Sequence, residues 1–236
     1  MNLLLLDEGD FIDHQRARVT DSRRLQHLLK VQRVKVGDSL KAGRLGALMG
    51  QAKVLSLSKQ QAELQLTLDQ PPPPKLPLTL VLALPRPQML HRLFQVIAAM
   101  GVPRLILLGS ARVEKSFWQS RRLASDATRH ELLLGLEQAR DTVPPQIQIE
   151  RQFKPFVEDR LPAIAGDSLG LLCHPGDYPP CPRSVSGAVT LAIGPEGGWL
   201  PYEVELLEKA GLQTVQLGAR ILRVETAVTA LLGRLF

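Results

Sequence analysis

Aromatic residues make up only 4% of the chain, so a core of any size must be built from Leu, Val, Ile and Ala. There are two cysteines, Cys173 and Cys181, flanking "HPGDYPP". That spacing is neither a CxxC redox pair nor a zinc site, and His174 beside Cys173 does not change the reading. Ordinary thiols in a reducing compartment are expected, with no metal. No apolar stretch reaches bilayer length. The opening "MNLLLLDEGDF" has no basic segment before its short Leu run, which disfavours a secretory signal and makes a cytoplasmic protein the expectation. The sequence also lacks GxxxxGK[ST], which excludes a P-loop, and lacks a GxGxxG opening a helix, which leaves a standard dinucleotide site unsupported.

What is present is a basic excess. The formal charge is +6 over 236 residues. Between Gln15 and Arg44 nine basic residues (among them Arg16, Arg18, Arg23, Arg24 and Arg33) stand against Asp21 and Asp38. Such a segment is either an ordinary solvated surface or a patch for a polyanion, nucleic acid above all.

"QPPPPKLP" (Gln70–Pro77) is the clearest boundary, because four consecutive prolines continue neither a helix nor a sheet. Residues 1–70 precede it, 71–77 form a linker, and 78–236 follow. In the first part "RVKVGDSLKAG" and "GALMGQAKVLSLSKQQAELQLTLDQ" alternate apolar and polar residues around turn candidates, as short antiparallel strands do. "SRRLQHLLKVQRV" reads as one short helix with Leu25, Leu28 and Leu29 on a face. A small β-barrel with one helix fits.

Beyond the prolines the pattern changes to α/β. "LTLVLALP" is a continuous apolar run, as in a strand buried on both faces. A helix follows with Leu90, Leu93, Phe94 and Ile97 on one side, Pro87 in its first turn and Gly101 just past its end. "RLILLG" is the next strand, and a helical region is expected over roughly Phe117–Arg140. Alternating strands and helices indicate a largely parallel sheet.

Three apolar runs near the C-terminus end in unusual loops: "CHPGD" after Leu172, "GPEGGW" after Ile193 and "LGARILRVETA" after Val215. Ligands of open α/β sheets bind beyond the carboxyl ends of the strands. If these three strands are neighbours, the loops meet in one pocket. Glycines after strands are common turn residues, but three such loops, two of them mixing charge with glycine, favour a ligand site. Backbone amides and carbonyls in "GPEGG" could read an adenine edge.

"IGPEGGWLPYEVELL" followed by "LGARILRVETAVTALLGRLF" resembles the C-terminal signature of the RsmE-type 16S ribosomal RNA uridine-N3 methyltransferases, which belong to the SPOUT class. "LALPRPQMLHRLFQVIAAMGV", "LEQARDTVP" and "HLLKVQRVKVGD" are similar to further family segments. The resemblance implies a PUA-like β-barrel followed by an α/β domain with a deep trefoil knot. It also implies S-adenosylmethionine as cofactor, a homodimer, and 16S ribosomal RNA within the small subunit as partner, with no DNA or membrane. The chain departs from the pattern at Arg86, where the family has Lys, and in the first helix, where Gln95 is kept but Val96, Ala98 and Ala99 replace the family's residues. The segment Glu137–Arg140 is one residue short.

By this resemblance the cofactor falls to Leu172, His174, Ile193, Gly194, Gly197, Gly198, Leu217, Gly218, Ile221, Leu222 and Thr226, the last of which could instead cap the final helix. Removing the proton from uracil N3 calls for a base or a cation that stabilises the anion. Arg220, Arg223, Glu196 and Glu225 are the charged candidates. Arg223 and Glu196 are assigned the catalytic roles, although an ion pair of Arg223 with Glu196 or Glu225 is an alternative. Arg16, Arg18, Arg23, Arg24 and Arg33 would grip RNA phosphates. The last helix places Val224, Val228, Leu231, Leu232 and Leu235 on an apolar face, for core or dimer contact. Two rival readings remain: a methyltransferase of this class acting on another RNA, and a non-catalytic RNA-binding protein. A nicotinamide oxidoreductase is a distant third.

Overall fold

A computed structural model describes all residues, 1–236. Contacts divide the chain into two units, one of residues 1–74 with 132–144 and a larger one of residues 75–131 with 145–236. No helix is long and apolar enough to cross a membrane.

The smaller unit is built on a six-stranded mixed sheet. Its strands are β1 (Leu4–Leu6), β2 (Phe11–Asp13), β3 (Arg16–Val19), β4 (Ser39–Arg44), β5 (Met49–Leu57) and β6 (Ala62–Gln70), in the spatial order β1-β4-β5-β6-β3-β2. All pairs are antiparallel except β1 with β4. The alternation in β3, β5 and β6 turns Ala17, Val19, Ala52, Val54, Leu64 and Leu66 inward to one apolar core. Ser58 makes the β5–β6 turn, its Oγ accepting the N–H groups of Gln60 and Gln61.

Two local expectations need correcting here. "RVKV" is not a strand: Lys35–Asp38 is a turn, closed by the Lys35 N–H on Asp38 and Gly37 at φ +94°, and pairing begins only at Ser39. The single expected helix is α1 (Ser22–Gln26) followed at once by a π-helical turn over His27–Gln32, which ends at Arg33 in the left-handed region. The wider turn still delivers Leu25 and Leu28 to the core, while Leu29 is only half-buried. Residues 132–144 also pack in this unit: the N–H groups of Asn2 and Leu3 donate to the Glu137 carbonyl, and Gly46 N–H to that of Thr142.

The larger unit holds a six-stranded sheet in which every pair is parallel. It comprises β7 (Leu78–Ala83), β8 (Arg104–Leu108), β9 (Gln146–Glu150), β10 (Leu169–Cys173), β11 (Val189–Ile193) and β12 (Gln213–Val215). The order is β12-β10-β11-β7-β8-β9, so all carboxyl ends lie along one edge. Helix α2 (Pro87–Ala99) starts with Pro at its first position and ends before Gly101 at φ +71°. It buries Leu90, Leu93, Phe94 and Ile97. The expected region over 117–140 is two 3-10 turns, Lys115–Gln119 and Arg121–Leu123, and then α3 (Ser125–Ala139), because the Ser120 side chain and the extended backbone at Ala124 interrupt the helix. Short α4 (Phe153–Asp159) and α5 (Leu161–Ala165) precede β10; α6 (Pro201–Lys209) precedes β12; α7 (Val224–Leu235) comes last.

The β10–β11 connection is interlocked with the C-terminal stretch. Cys181 N–H donates to the Gln216 carbonyl beyond β12, and Ser184 and Val185 N–H groups donate to Arg234 and Leu235 at the far end of α7. The Arg234 Nε–H closes on the Cys181 carbonyl at 2.6 Å.

Candidate functional site

The strands β12, β10 and β11 are adjacent, and the loops that follow them do meet. Together they line an open cavity of about 660 Å³ at the carboxyl edge of the larger unit, within the size range of small-molecule and cofactor sites. Cys173 at the end of β10 and His174 come from the first, Ile193 at the end of β11 and residues 194–196 with Gly198 and Trp199 from the second, and Leu217, Gly218, Arg220, Ile221 and Leu222 from the third, with Val224 and Ala227 of α7 closing the wall.

The glycines have distinct roles. Gly218 sits at φ +115° with no atom within 4 Å of where a Cβ would stand, so conformation alone demands glycine there. Gly194 lies against the Trp199 ring, and a Cβ would come 3.1 Å from the indole nitrogen. At Gly197 a Cβ would meet the Arg112 side chain at 2.9 Å; the Arg112 guanidinium donates to the Gly197 carbonyl, fixing the loop from the β8 side. Glu203, fully buried in the first turn of α6, accepts the Leu200 N–H at 2.8 Å and the Ala111 N–H at 2.8 Å. One carboxylate thereby ties the loop after β8 to the loop after β11.

Glu196 lines the cavity, and its Oε1 accepts the Arg86 N–H at 3.0 Å, which leaves Oε2 without a protein hydrogen bond. Arg223 is exposed as the N-cap residue of α7, between two lining residues, Leu222 and Val224. Arg220 itself lines the wall, and Arg223 forms no ion pair with Glu196 or Glu225. Leu172 lies within the sheet, paired with Ala192 and Thr214 and fully buried, so it supports the floor from below. Thr226 is exposed on α7 and neither caps the helix nor lines the cavity.

Two buried polar atoms in the walls lack protein partners, His174 Nδ1 and the Trp199 Nε1–H. Burial, and then the nearby Arg112 charge, hold His174 below its ordinary pKa, so the ring is neutral near pH 7. Burial and the neighbouring Cys181 push the Cys173 thiol up to about 11. Ile221 is 83% exposed and Leu222 37%, an apolar lip with no protein to cover it. Apolar walls, glycine-bounded space and unpaired buried donors and acceptors suit a flat ligand with a few polar edges.

The family model for an RNA methyltransferase domain matches residues 72–235. The chain belongs to this RNA methyltransferase family. A ribosomal RNA small subunit methyltransferase E of Treponema pallidum is 27% identical over 98% of this chain and 88% of its own length. A second, of Borreliella burgdorferi, is 22% identical over 98% of this chain and 95% of its own. In fold, the crystal structure of the methyltransferase E of Neisseria gonorrhoeae bound to S-adenosyl methionine superposes with a TM-score of 0.74 at 24% identity, covering 98% of this chain and 95% of that one. The parallel sheet of the larger unit fits a SPOUT-type domain, and the mixed sheet of the smaller unit fits a PUA-like barrel.

The basic segment is less available than its charge count implies. Arg24 makes a bidentate pair with Asp10 at 2.6 and 2.9 Å, with side-chain exposures of 13% and 9%. Arg23 pairs with Glu137 through two 2.8 Å bonds. Both guanidinium groups are consumed by buried carboxylates, so the phosphate-gripping role expected of them is corrected to a structural one. Arg16 and Arg18 are exposed but paired with Asp13 and Glu63. Arg33 is exposed with no ion pair. Sequence reasoning did not single out Arg112, Trp199 or Glu203, though Trp199 adjoins the glycine loop and Glu203 stands three residues into a helix beginning with proline.

Proposed function

We propose that the chain transfers the methyl group of S-adenosylmethionine to N3 of one uridine of 16S ribosomal RNA in the small subunit, acting as a homodimer in the cytoplasm. The observation that carries this reading is the convergence of three glycine-bearing loops from adjacent parallel strands on one apolar cavity. Gly194, Gly198, Leu217, Gly218, Ile221 and Leu222 would hold the cofactor, with Ile193 beneath them. His174 Nδ1 and the Trp199 N–H offer the polar contacts. When bound, the cofactor supplies an activated methyl group, so the protein's task is alignment and charge.

Uracil N3 carries a proton that must leave before the nitrogen can act as a nucleophile. Glu196 Oε2 is the carboxylate oxygen left to accept it, while Arg86 N–H steadies the other oxygen. Arg223, unpaired beside the cavity mouth, stabilises the negative charge on the ring. Arg16, Arg18 and Arg33 on the smaller unit make phosphate contacts, which position RNA without reading its sequence.

The test is methylation of unmodified small ribosomal subunits with labelled S-adenosylmethionine, followed by nucleoside mass spectrometry. N3-methyluridine at one 16S position is expected. Cofactor binding without product on these subunits would overturn the substrate assignment.

A further inference from the structure

The loop that follows β8 has a second end. Its Arg112 holds the Gly197 carbonyl in the cofactor wall, and six residues on it presents Trp118, half-buried at the sheet's carboxyl edge. Trp118, Arg121 and Leu123 of this loop, with Ile149 of β9 and Arg151 just beyond it, line an open concavity of about 770 Å³. Arg151 stands over the Trp118 ring, 5.7 Å from its centroid. Ile149 is 44% exposed beside it. Arg121 and Arg151 line the same concavity and are exposed, and Lys115 and Arg122, close in sequence, are exposed as well. The acids nearest in sequence are Glu114, Asp126, which is 3.6 Å from Arg121, and Glu150, which is buried and paired with Arg160. One of the chain's two tryptophans is therefore spent on a cationic surface rather than in the core.

The geometry points to a stacking shelf for a single-stranded nucleotide that flanks the methylated base, with Trp118 and the Arg151 guanidinium over it as the platform and Arg121 receiving the phosphate. This rests on the RNA methyltransferase reading and adds where the substrate strand lies. An indole face flanked by guanidinium groups is the combination by which proteins hold unpaired bases without regard to sequence. A duplex offers no free base face, so the occupant is a looped-out or single strand. The shelf follows β8 and β9 and the cavity follows β11, β10 and β12 of one parallel sheet, and the loop after β8 reaches both, so a strand seated on Trp118 can continue along that edge to the cavity. Trp118 is thus a positioning residue.

The experiment is a fluorescence titration with octauridylate. Trp199 is 3% exposed, so quenching by a stacked base reports Trp118. Wild type is expected to quench, W118F not. By filter binding with labelled octauridylate, a readout that does not depend on the indole, W118A should bind about tenfold or more weakly than wild type, as loss of one stacked base implies. With small subunits as substrate, W118A should raise KM with kcat within twofold, W118F should restore most of the loss, and cofactor affinity should stay at the wild-type value. Equal quenching by wild type and W118F, equal quenching by duplex RNA, or an unchanged KM in W118A would overturn the shelf. R151Q, which leaves the ring in place, should weaken binding and reduce its salt dependence; no effect on either also counts against it. Failure of the wild type to methylate small subunits, with octauridylate quenching intact, would sink the substrate assignment and leave the shelf standing.

Discussion

Replacing Arg24 with Met keeps most of the side-chain stem and removes the charge. Asp10, whose side chain is 9% exposed beside Arg24, then keeps one hydrogen bond, from the Asp7 N–H at 2.8 Å. The Leu5 carbonyl also loses its 3.0 Å donor. Breaking one side of a buried pair costs about 3–5 kcal/mol, because the surviving charge keeps its desolvation penalty. For a unit of this size the urea slope is about 1–2 kcal/mol/M, so its midpoint should fall by roughly 1.5 M or more. The assay is urea titration followed by circular dichroism, with amide exchange in Leu4–Leu6 and Ser39–Arg44 reading the smaller unit. Adding Asp10→Asn to Arg24→Met should recover much of the loss, since no unpaired charge remains. A midpoint lowered by less than about 0.3 M in the single variant would refute the claim that this arginine is structural. Charge reversal at Arg23 or Arg24 is accordingly a poor probe of RNA contact, because it reports folding first.

Arg223→Ala should lower kcat about 100-fold to 1,000-fold with cofactor affinity within twofold, as loss of a charge-stabilising donor does; turnover near the wild-type rate would remove the role, and Arg220→Ala in parallel shows which cation acts. Gly218→Ala imposes backbone strain of about 1–3 kcal/mol without a clash, so cofactor affinity in equilibrium binding should fall at least about fivefold, while Gly187→Ala, open and unstrained, should be silent. His174 should titrate by NMR below its ordinary value of 6.5, and Arg112→Ala should move it upward. Because its folded value is depressed, the stability it contributes is whole above pH 6.5 and is lost as pH falls through the folded value; titration above 6.5 would contradict the burial. Cys173, its thiol raised to about 11, should resist alkylation at pH 8 in the native protein and react on denaturation.

Much of the site was legible because it is local. Pro87 and Gly101 bound α2 through backbone constraints that each residue carries alone, and the three loops announce themselves by glycine after an apolar run. Their adjacency was a conditional statement that only strand order could resolve. The pairings of Arg23 and Arg24 were illegible for the opposite reason. Arg23 meets Glu137, 114 residues away, and a charge count cannot tell a paired guanidinium from a free one. Residues 132–144 begin inside a helix that starts in the larger unit, and nothing in their composition assigns them to the smaller one. The π turn at His27–Gln32 leaves the apolar spacing nearly intact, so periodicity passes over it. Trp118 stands in a run of 3-10 turns, where no regular spacing marks a shared surface.

With the cofactor on the apolar lip at Ile221 and Leu222, as proposed above, durability would be tied to cofactor supply. A ligand that binds only the folded chain, at a hundred times its dissociation constant, adds about 2.7 kcal/mol to stability. A cell short of methyl donor would then hold a less durable enzyme as well as an idle one, and the demethylated product, sharing the adenosine end, would preserve the protein while blocking it.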